Sequence, residues 1–228
     1  MTDKWTQQKI GVFLVAESLI ARQGAHSMMS QQEDIEVVGE AGGANEVLSV
    51  VDDIPPGTVV VQAVPPGGSF ELVHRLREIS PEISVIVLAE YEDDNGLFQA
   101  IVARASAFLT KETTTEQLLF AIRKVANGEQ LVGKNILNRP GVALRILERF
   151  QQLSSTTKGL EPLVAPLSPT EEEVLHLIAS GNSTEAIASY LNINQQRLGG
   201  YITSTLHKLD INERTHNAAL SLLAGKSY

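Results

Sequence analysis

L-S-P-T-E-E-E-V-L-H-L-I-A-S-G, Leu167 to Gly181, runs on as N-S-T-E-A-I-A-S-Y-L-N-I-N-Q-Q-R-L-G-G-Y-I-T-S-T-L-H-K-L to Leu209, and this stretch decides how the C-terminal part of the 228-residue chain folds. Ser168 is placed to cap a helix, Pro169 suits the first helical position, and Glu171 stands where a capping box needs its partner. Val174, Leu175, Leu177 and Ile178 recur at helical spacing, and Gly181 stops the run. Thr184 to Leu191 reads as a second short helix with Ile187 and Leu191 facing in. Asn192-Ile193-Asn194 is a turn, and Asn194 can cap a third helix. That helix sets Leu198, Ile202, Leu206 and Leu209 on one face. Two short helices across a tight turn, with a third beneath, are a helix-turn-helix arrangement.

Composition narrows the class. The chain is 43% hydrophobic, enough for a real core, and its length suits one large or two small domains. It has no cysteine, which excludes disulfide staples and thiol redox sensing. No apolar run approaches a membrane span, and M-T-D-K-W-T-Q-Q-K lacks a secretory signal, so a cytoplasmic protein with no membrane partner is expected. The net charge of −9 argues against non-specific nucleic-acid affinity.

The first half alternates strands and helices. Lys9–Val15, Ile35–Gly39, Thr58–Val61, Ser84–Leu88 and Ala107–Leu109 read as apolar strands. Leu19–Met29, Gly42–Asp52, Phe70–Ile79, Asp94–Val102 and Thr114–Asn127 read as helices, with Val47, Leu48 and Val51 facing in. Five strands alternating with five helices imply a doubly wound α/β domain, its parallel sheet covered on both faces.

Both halves resemble one family. The C-terminal stretch is similar to the L-T-x-R-E-x-E-V-L-x-L-x-A-x-G-x-S-N-x-E-I-A opening of LuxR/NarL-type DNA-binding domains, and Leu206, Lys208 and Leu209 resemble that family's L-x-K-L. In the first half, I-E-V-V-G-E-A (Ile35–Ala41), Pro66-Gly67 after the third strand, F-L-T-K-E (Phe108–Glu112) and Leu118–Gly128 resemble a response-regulator receiver. The resemblance implies a flavodoxin/CheY-like receiver over residues 1–130, a linker with one helix over 131–166, and a four-helix helix-turn-helix domain over 167–228. A helical bundle without a nucleic-acid role is the alternative for the last part.

The resemblance also implies chemistry that the residues do not supply. A working receiver takes a phosphoryl group on an aspartate ending the third strand. Clustered carboxylates hold Mg2+ there because that ion prefers hard oxygen ligands and offsets phosphoryl charge. Here the acid pair is Ala16-Glu17, the acceptor position is Gln62, the Thr/Ser position is Ala89, and the aromatic position is Phe108; only Lys111 is retained. A glutamine amide cannot form the acyl phosphate. Asp52 and Asp53 precede Pro55-Pro56, at the wrong end of the strand. Phosphotransfer is therefore expected to be absent. Lys111 should pair with Glu17 or donate to the Gln62 carbonyl; a sharper alternative has it hold a small anion or metabolite in the emptied pocket. No catalytic constellation, cofactor fingerprint or metal-ligand spacing of the five histidines appears, so no enzyme, cofactor or metal is expected. Gly42-Gly43 and Gly67-Gly68 read as turn glycines, and Asp93-Asp94 as a solvated helix start.

Val142–Phe150 reads as the linker helix, and Ser154–Gly159 is flexible in composition, which should let the domains pack variably. On the third helix of the head, Gln195, Gln196, Gly199, Gly200 and Thr203 lie opposite Leu198 and Ile202. With the cations Arg197 and Lys208 they are the candidate DNA contacts. The family commonly carries Lys and Thr at Gly199 and Gly200, and His at Tyr201, so a phosphate anchor is lost. Residues 167–228 hold Arg197, Lys208, Arg214 and Lys226 against Glu171, Glu172, Glu173, Glu185, Asp210 and Glu213, a balance of −2. Weak binding by one head and reliance on a homodimer follow. Asn212–Leu223 reads as a fourth helix resembling the family's dimer surface, with Ala218, Ala219 and Leu222 as candidate contacts; the alternative is that they cap the bundle core. The reading is a promoter-binding transcriptional regulator whose receiver serves dimerisation, partner docking or ligand sensing without phosphorylation. Its alternatives are a protein that docks another regulator without binding DNA, and a small-ligand sensor.

Overall fold

The structure, a computed structural model, describes residues 9–50, 57–62, 68–156 and 163–224. Five strands, β1 (Ile10–Val15), β2 (Ile35–Ala41), β3 (Thr58–Gln62), β4 (Ser84–Ala89) and β5 (Ala107–Thr110), pair in parallel in the order β2-β1-β3-β4-β5. The chain therefore reverses its direction of winding between β1 and β3, and the strand ends open a crevice there. Alternate strand residues serve opposite faces. Val12, Leu14, Val60, Ile86 and Ala107 join Met29 of α1 (Leu19–Ser30) and Leu118, Leu119, Ile122 and Val125 of α5 (Thr115–Ala126) in one core layer. Their neighbours Phe13, Val15, Val59, Val61, Val85 and Val87 are buried as well. Such runs, apolar on both faces, are what a covered parallel sheet needs. The remaining helices of this half are α2 (Ala44–Val50) and α3 (Gly68–Ile79), which bury Val47, Leu72, Val73 and Leu76. Gly39 is required by space: a Cβ there would run into the Phe13 ring, beside the bulge between Val12 and Phe13. Val51, Asp52, Asp53, Pro66 and Gly67 lie outside the described residues.

The chain divides into two compact units, residues 1–92 with 103–131, and residues 93–102 with 132–228. The first holds the sheet. The second gathers α4 (Asp94–Val102), a 3-10 turn (Val132–Asn135), α6 (Pro140–Thr156), α7 (Pro169–Ala179), α8 (Thr184–Tyr190) and α9 (Gln195–Ala224). Of the five helices read around the sheet, α4 thus groups with the C-terminal helices. Arg139 donates to Asp94 at 3.1 Å and Arg145 to Asn95 at 3.1 Å. The Arg145 guanidinium also lies 4.0 Å from the Phe98 ring centroid, a cation–π contact. Asp93-Asp94 is a helix start, as read: Asp94 opens α4 and stays partly exposed, but it also pairs with Arg139, and Asp93 caps the helix, accepting from the Gly96 amide at 2.7 Å.

Two further elements differ from the sequence reading. The linker helix is longer, and Ser154, Ser155 and Thr156, read as flexible, are its last residues. Val142, Ala143, Ile146, Leu147, Phe150 and Leu153 form a buried stripe at helical spacing, so α6 is a packed helix and not a bare tether. The rest of the flexible stretch lies outside the described residues. The third and fourth helices of the head are one helix, α9, of 30 residues, about 45 Å long. From Tyr201 to Ala224 there is neither glycine nor proline to end it. Its middle is also held from outside: Asn212 accepts from the Ala165 amide at 2.7 Å and donates to the Ala165 carbonyl at 3.1 Å. Glu213 accepts two bonds from Arg149 of α6, at 2.6 and 2.7 Å.

Candidate functional site

The helical head is built from local signals. The Ser168 hydroxyl accepts from the Glu171 amide at 3.3 Å, and Glu171 accepts from the Ser168 amide at 2.7 Å, a complete capping box. Gly181, at φ +78°, closes α7 in a conformation that suits glycine. Ser183 caps α8, and Asn194 accepts from the Arg197 amide at 2.8 Å at the start of α9. Asn192 takes the left-handed conformation, φ +52°, in the turn between α8 and α9. Leu198, Ile202 and Leu209 are buried, while Gln195, Gln196, Arg197, Gly200 and Thr203 are exposed on the other side; Gly199 is half-buried. A Cβ added at Gly199 or Gly200 would meet nothing within 4 Å, so packing does not demand either glycine.

Glu171 does more than cap. It is 3% exposed and also accepts from Ser204 and from Lys208 of α9, each at 2.6 Å. Burial pushes its carboxyl up, but the bonds from Lys208, Ser204 and Ser168 outweigh burial and hold it at about 2. Lys208 is thus committed inward, which sets it apart from the exposed face of Gln195, Gln196, Arg197, Gly200 and Thr203. The sequence carried no signal for this pairing, because the partners are 33 and 37 residues away. Ala218 is exposed and Ala219 half-buried on α9; the Leu222 side chain lies outside the described set.

At the carboxyl ends of the strands, Ala16 and Glu17 follow β1, Gln62 ends β3, Ala89 ends β4, Lys111 follows β5, and Phe108 is buried within β5. Lys111 pairs with Glu90, not with Glu17 or the Gln62 carbonyl. The register explains the difference: Ala89 stands opposite Thr110, so the next residues, Glu90 and Lys111, emerge side by side. Glu90 pushes the Lys111 ammonium above its ordinary value by hydrogen bonding and charge. The Gln62 carbonyl accepts from Ser69 instead, at 3.3 Å. Arg22 of α1, which the sequence reading passed over, donates to the carbonyls of Ala16 and Glu17 and lies 3.8 Å from Glu40.

This donor set does not fit Mg2+. Of the three carboxylates a receiver needs, Glu17 alone remains, and a guanidinium caps the β1–α1 turn. Among the described residues no group of three or more His, Asp or Glu could hold a metal. A cavity of about 150 Å³ lies here between β1, β3, β4 and α1, and a more polar cleft of about 290 Å³ shares Val15, Ala16 and Gln62 with it. Among the described residues no helix is long and apolar enough to cross a membrane.

A sheet of order β2-β1-β3-β4-β5 joined to a capped helix-turn-helix head defines the response regulators that carry a receiver. The two domain families match in that order: response regulator receiver domain over residues 12–123, and bacterial regulatory proteins, luxR family, over residues 165–221. The chain belongs to the NarL/LuxR family of response regulators. It is 27% identical over 213 residues to the DNA-binding transcriptional activator DevR/DosR of Mycobacterium tuberculosis, covering 93% of this chain and 94% of that one. It is 26% identical over 207 residues to the response regulator VraR of Staphylococcus aureus, covering 90% and 93%. Among solved structures, RcsB from Salmonella enterica serovar Typhimurium bound to promoter rprA shares the fold at a TM-score of 0.52 and 20% identity, covering 88% of this chain and 92% of that one. Its relatives are thus DNA-binding regulators, a family of generally non-enzymatic proteins.

Proposed function

We propose that this chain is a cytoplasmic, promoter-binding transcriptional regulator that acts as a homodimer and without aspartyl phosphorylation. The observation that carries DNA binding is the exposed polar face at the start of α9. Gln195, Gln196, Arg197, Gly200 and Thr203 project from a helix whose opposite side is anchored by Leu198 and Ile202. Glutamine can read adenine in the major groove, and threonine can reach a phosphate or a thymine methyl. Gly200, exposed on that face, would let the backbone come close to the groove wall. We assign Lys208 to positioning α9 through Glu171 rather than to a phosphate. Ala218, Ala219 and Leu222 remain our candidates for the head-to-head contact. Functionally we divide the chain into a receiver over 1–130, a linker over 131–166 and a reading head over 167–228. Phosphorylation independence is supported by Gln62 at the acceptor position, Ala16 and Ala89 beside it, and Arg22 over the turn that would hold metal.

Selection of bound fragments from a random DNA pool by the full-length protein tests this, run with and without acetyl phosphate and Mg2+. The expected result is one enriched, roughly palindromic motif, bound equally well in both conditions. A motif that appears only with acetyl phosphate would overturn phosphorylation independence. Folded protein that enriches nothing would favour the second reading, an interaction protein that docks another regulator. The cavity beneath Ala89 favours a third role for the receiver, the sensing of a ligand.

A further inference from the structure

The cavity at the strand ends has a chemical character of its own. Leu14, Val60 and Leu88 form its floor, and Ala25 and Ala89 its walls. Small alanine side chains leave the space open, where larger ones would close it. Both cations at its rim already have partners: Lys111 is held by Glu90, and Arg22 by two carbonyls and Glu40. An anion entering would have to break one of these pairings and then lie against hydrocarbon, which is costly. The anion reading of the pocket is therefore disfavoured by its lining. Among the described residues, the polar side chain at the cavity with no partner is the Gln62 carboxamide. An amide offers two donors and an acceptor, but no charge. An apolar cavity of roughly 150 Å³ is large enough to take up a molecule the size of benzene.

We propose that the vacated receiver pocket binds a small, neutral, mainly apolar molecule of single-ring size, whose one hydroxyl- or amide-like group bonds to the Gln62 carboxamide. This rests on the reading that the site takes no phosphoryl group. Burial of the ring against Leu14, Val60 and Leu88 supplies the affinity. The single hydrogen bond to the Gln62 carboxamide supplies the orientation. A ligand with a carboxylate or phosphate is disfavoured because both described cations at the rim, Lys111 and Arg22, are already paired.

The test uses the full-length protein with its methyl groups observed by NMR, and phenol, benzene and inorganic phosphate as probes. Phenol should shift the methyl signals of Leu14, Val60 and Leu88 saturably, and benzene should do so with roughly five- to tenfold weaker affinity, the worth of one hydrogen bond. Phosphate should leave them unmoved. Gln62→Leu should erase the preference for phenol while keeping benzene binding. Ala89→Leu, and separately Ala25→Leu, should fill the space and abolish both, with the methyls of Val47 and Leu76, buried in the same unit but outside the cavity lining, reporting that the receiver fold survives. The proposal is overturned if neither ring compound moves the floor methyls, if phosphate does, or if both filled variants still respond. Intact mass after acetyl phosphate with Mg2+ separates the two readings. A phosphoryl adduct would sink phosphorylation independence, whereas no adduct together with no phenol response would sink the ligand alone.

Discussion

Glu171 is one carboxylate serving two helices. It completes the cap of α7 and receives Ser204 and Lys208 from α9, so the geometry between α7 and α9 runs through it. Its folded value of about 2 lies below the ordinary 4.5, so it stabilises the head fully above about pH 4.5, and that contribution fades as pH falls towards 2. The span corresponds to on the order of 3 kcal/mol at neutral pH. Glu171→Gln should therefore cost about 2–4 kcal/mol, because it also leaves the largely buried Lys208 without its charge partner. Urea unfolding followed by head signals at several pH values checks this. The variant should lose most of the wild type's pH dependence between 4.5 and 2; an unchanged profile would place that titration elsewhere.

Helix α9 sets the reading head's shape, and its one weak point is Gly199-Gly200. Each glycine costs roughly 1 kcal/mol against alanine in a helix interior, and neither is demanded by packing. Gly200 lies on the exposed stripe from Gln196 to Thr203; in the DNA-bound state proposed above, an added methyl would hold the backbone off the groove. Gly200→Ala should raise head stability by about 1 kcal/mol while weakening binding to the selected DNA several-fold, seen by thermal melting and titration of the same protein. Tighter DNA binding would mean that the glycine serves no close approach. What was legible in this element follows from range. Ser168, Glu171, Gly181 and Asn194 act within about one turn, so their capping could be read from order alone. The unbroken run through Asp210-Ile211-Asn212 is legible only in part: no glycine or proline interrupts it, but Ala165 and Arg149, which hold it from outside, dock from far along the chain. Lys111 failed for the same reason, since its partner is chosen by strand register. The emptied acceptor site was legible because it is a matter of residue identity at Gln62, Ala16 and Ala89, but the guanidinium of Arg22 over that turn needed the fold.

The DNA binding proposed for this acidic molecule would have to be achieved with few cations, and the charge distribution says how few. The whole chain carries −9. Of the four basic residues in the head, Lys208 is committed to Glu171, and Lys226 lies outside the described residues. Arg214 is exposed but stands 17 residues beyond Arg197 on the same helix, about 25 Å away, too far to share its groove contact. That leaves Arg197 as the one described cation on the reading face, assisted by backbone and hydroxyl donors that release no counterions. A dimer should then neutralise about two phosphates through Arg197, and log Kobs should fall against log salt with a slope of about −2. Arg197→Ala should make that slope shallower by about 2 for the dimer, one unit for each head, while lowering affinity alike for matched and mismatched sites. Titrations of the selected fragment over a range of salt concentrations read both quantities. A wild-type slope of roughly −8 or steeper would locate the electrostatic grip outside α9, and Arg197→Ala relaxing sequence preference instead of the slope would make Arg197 a base reader rather than a phosphate anchor.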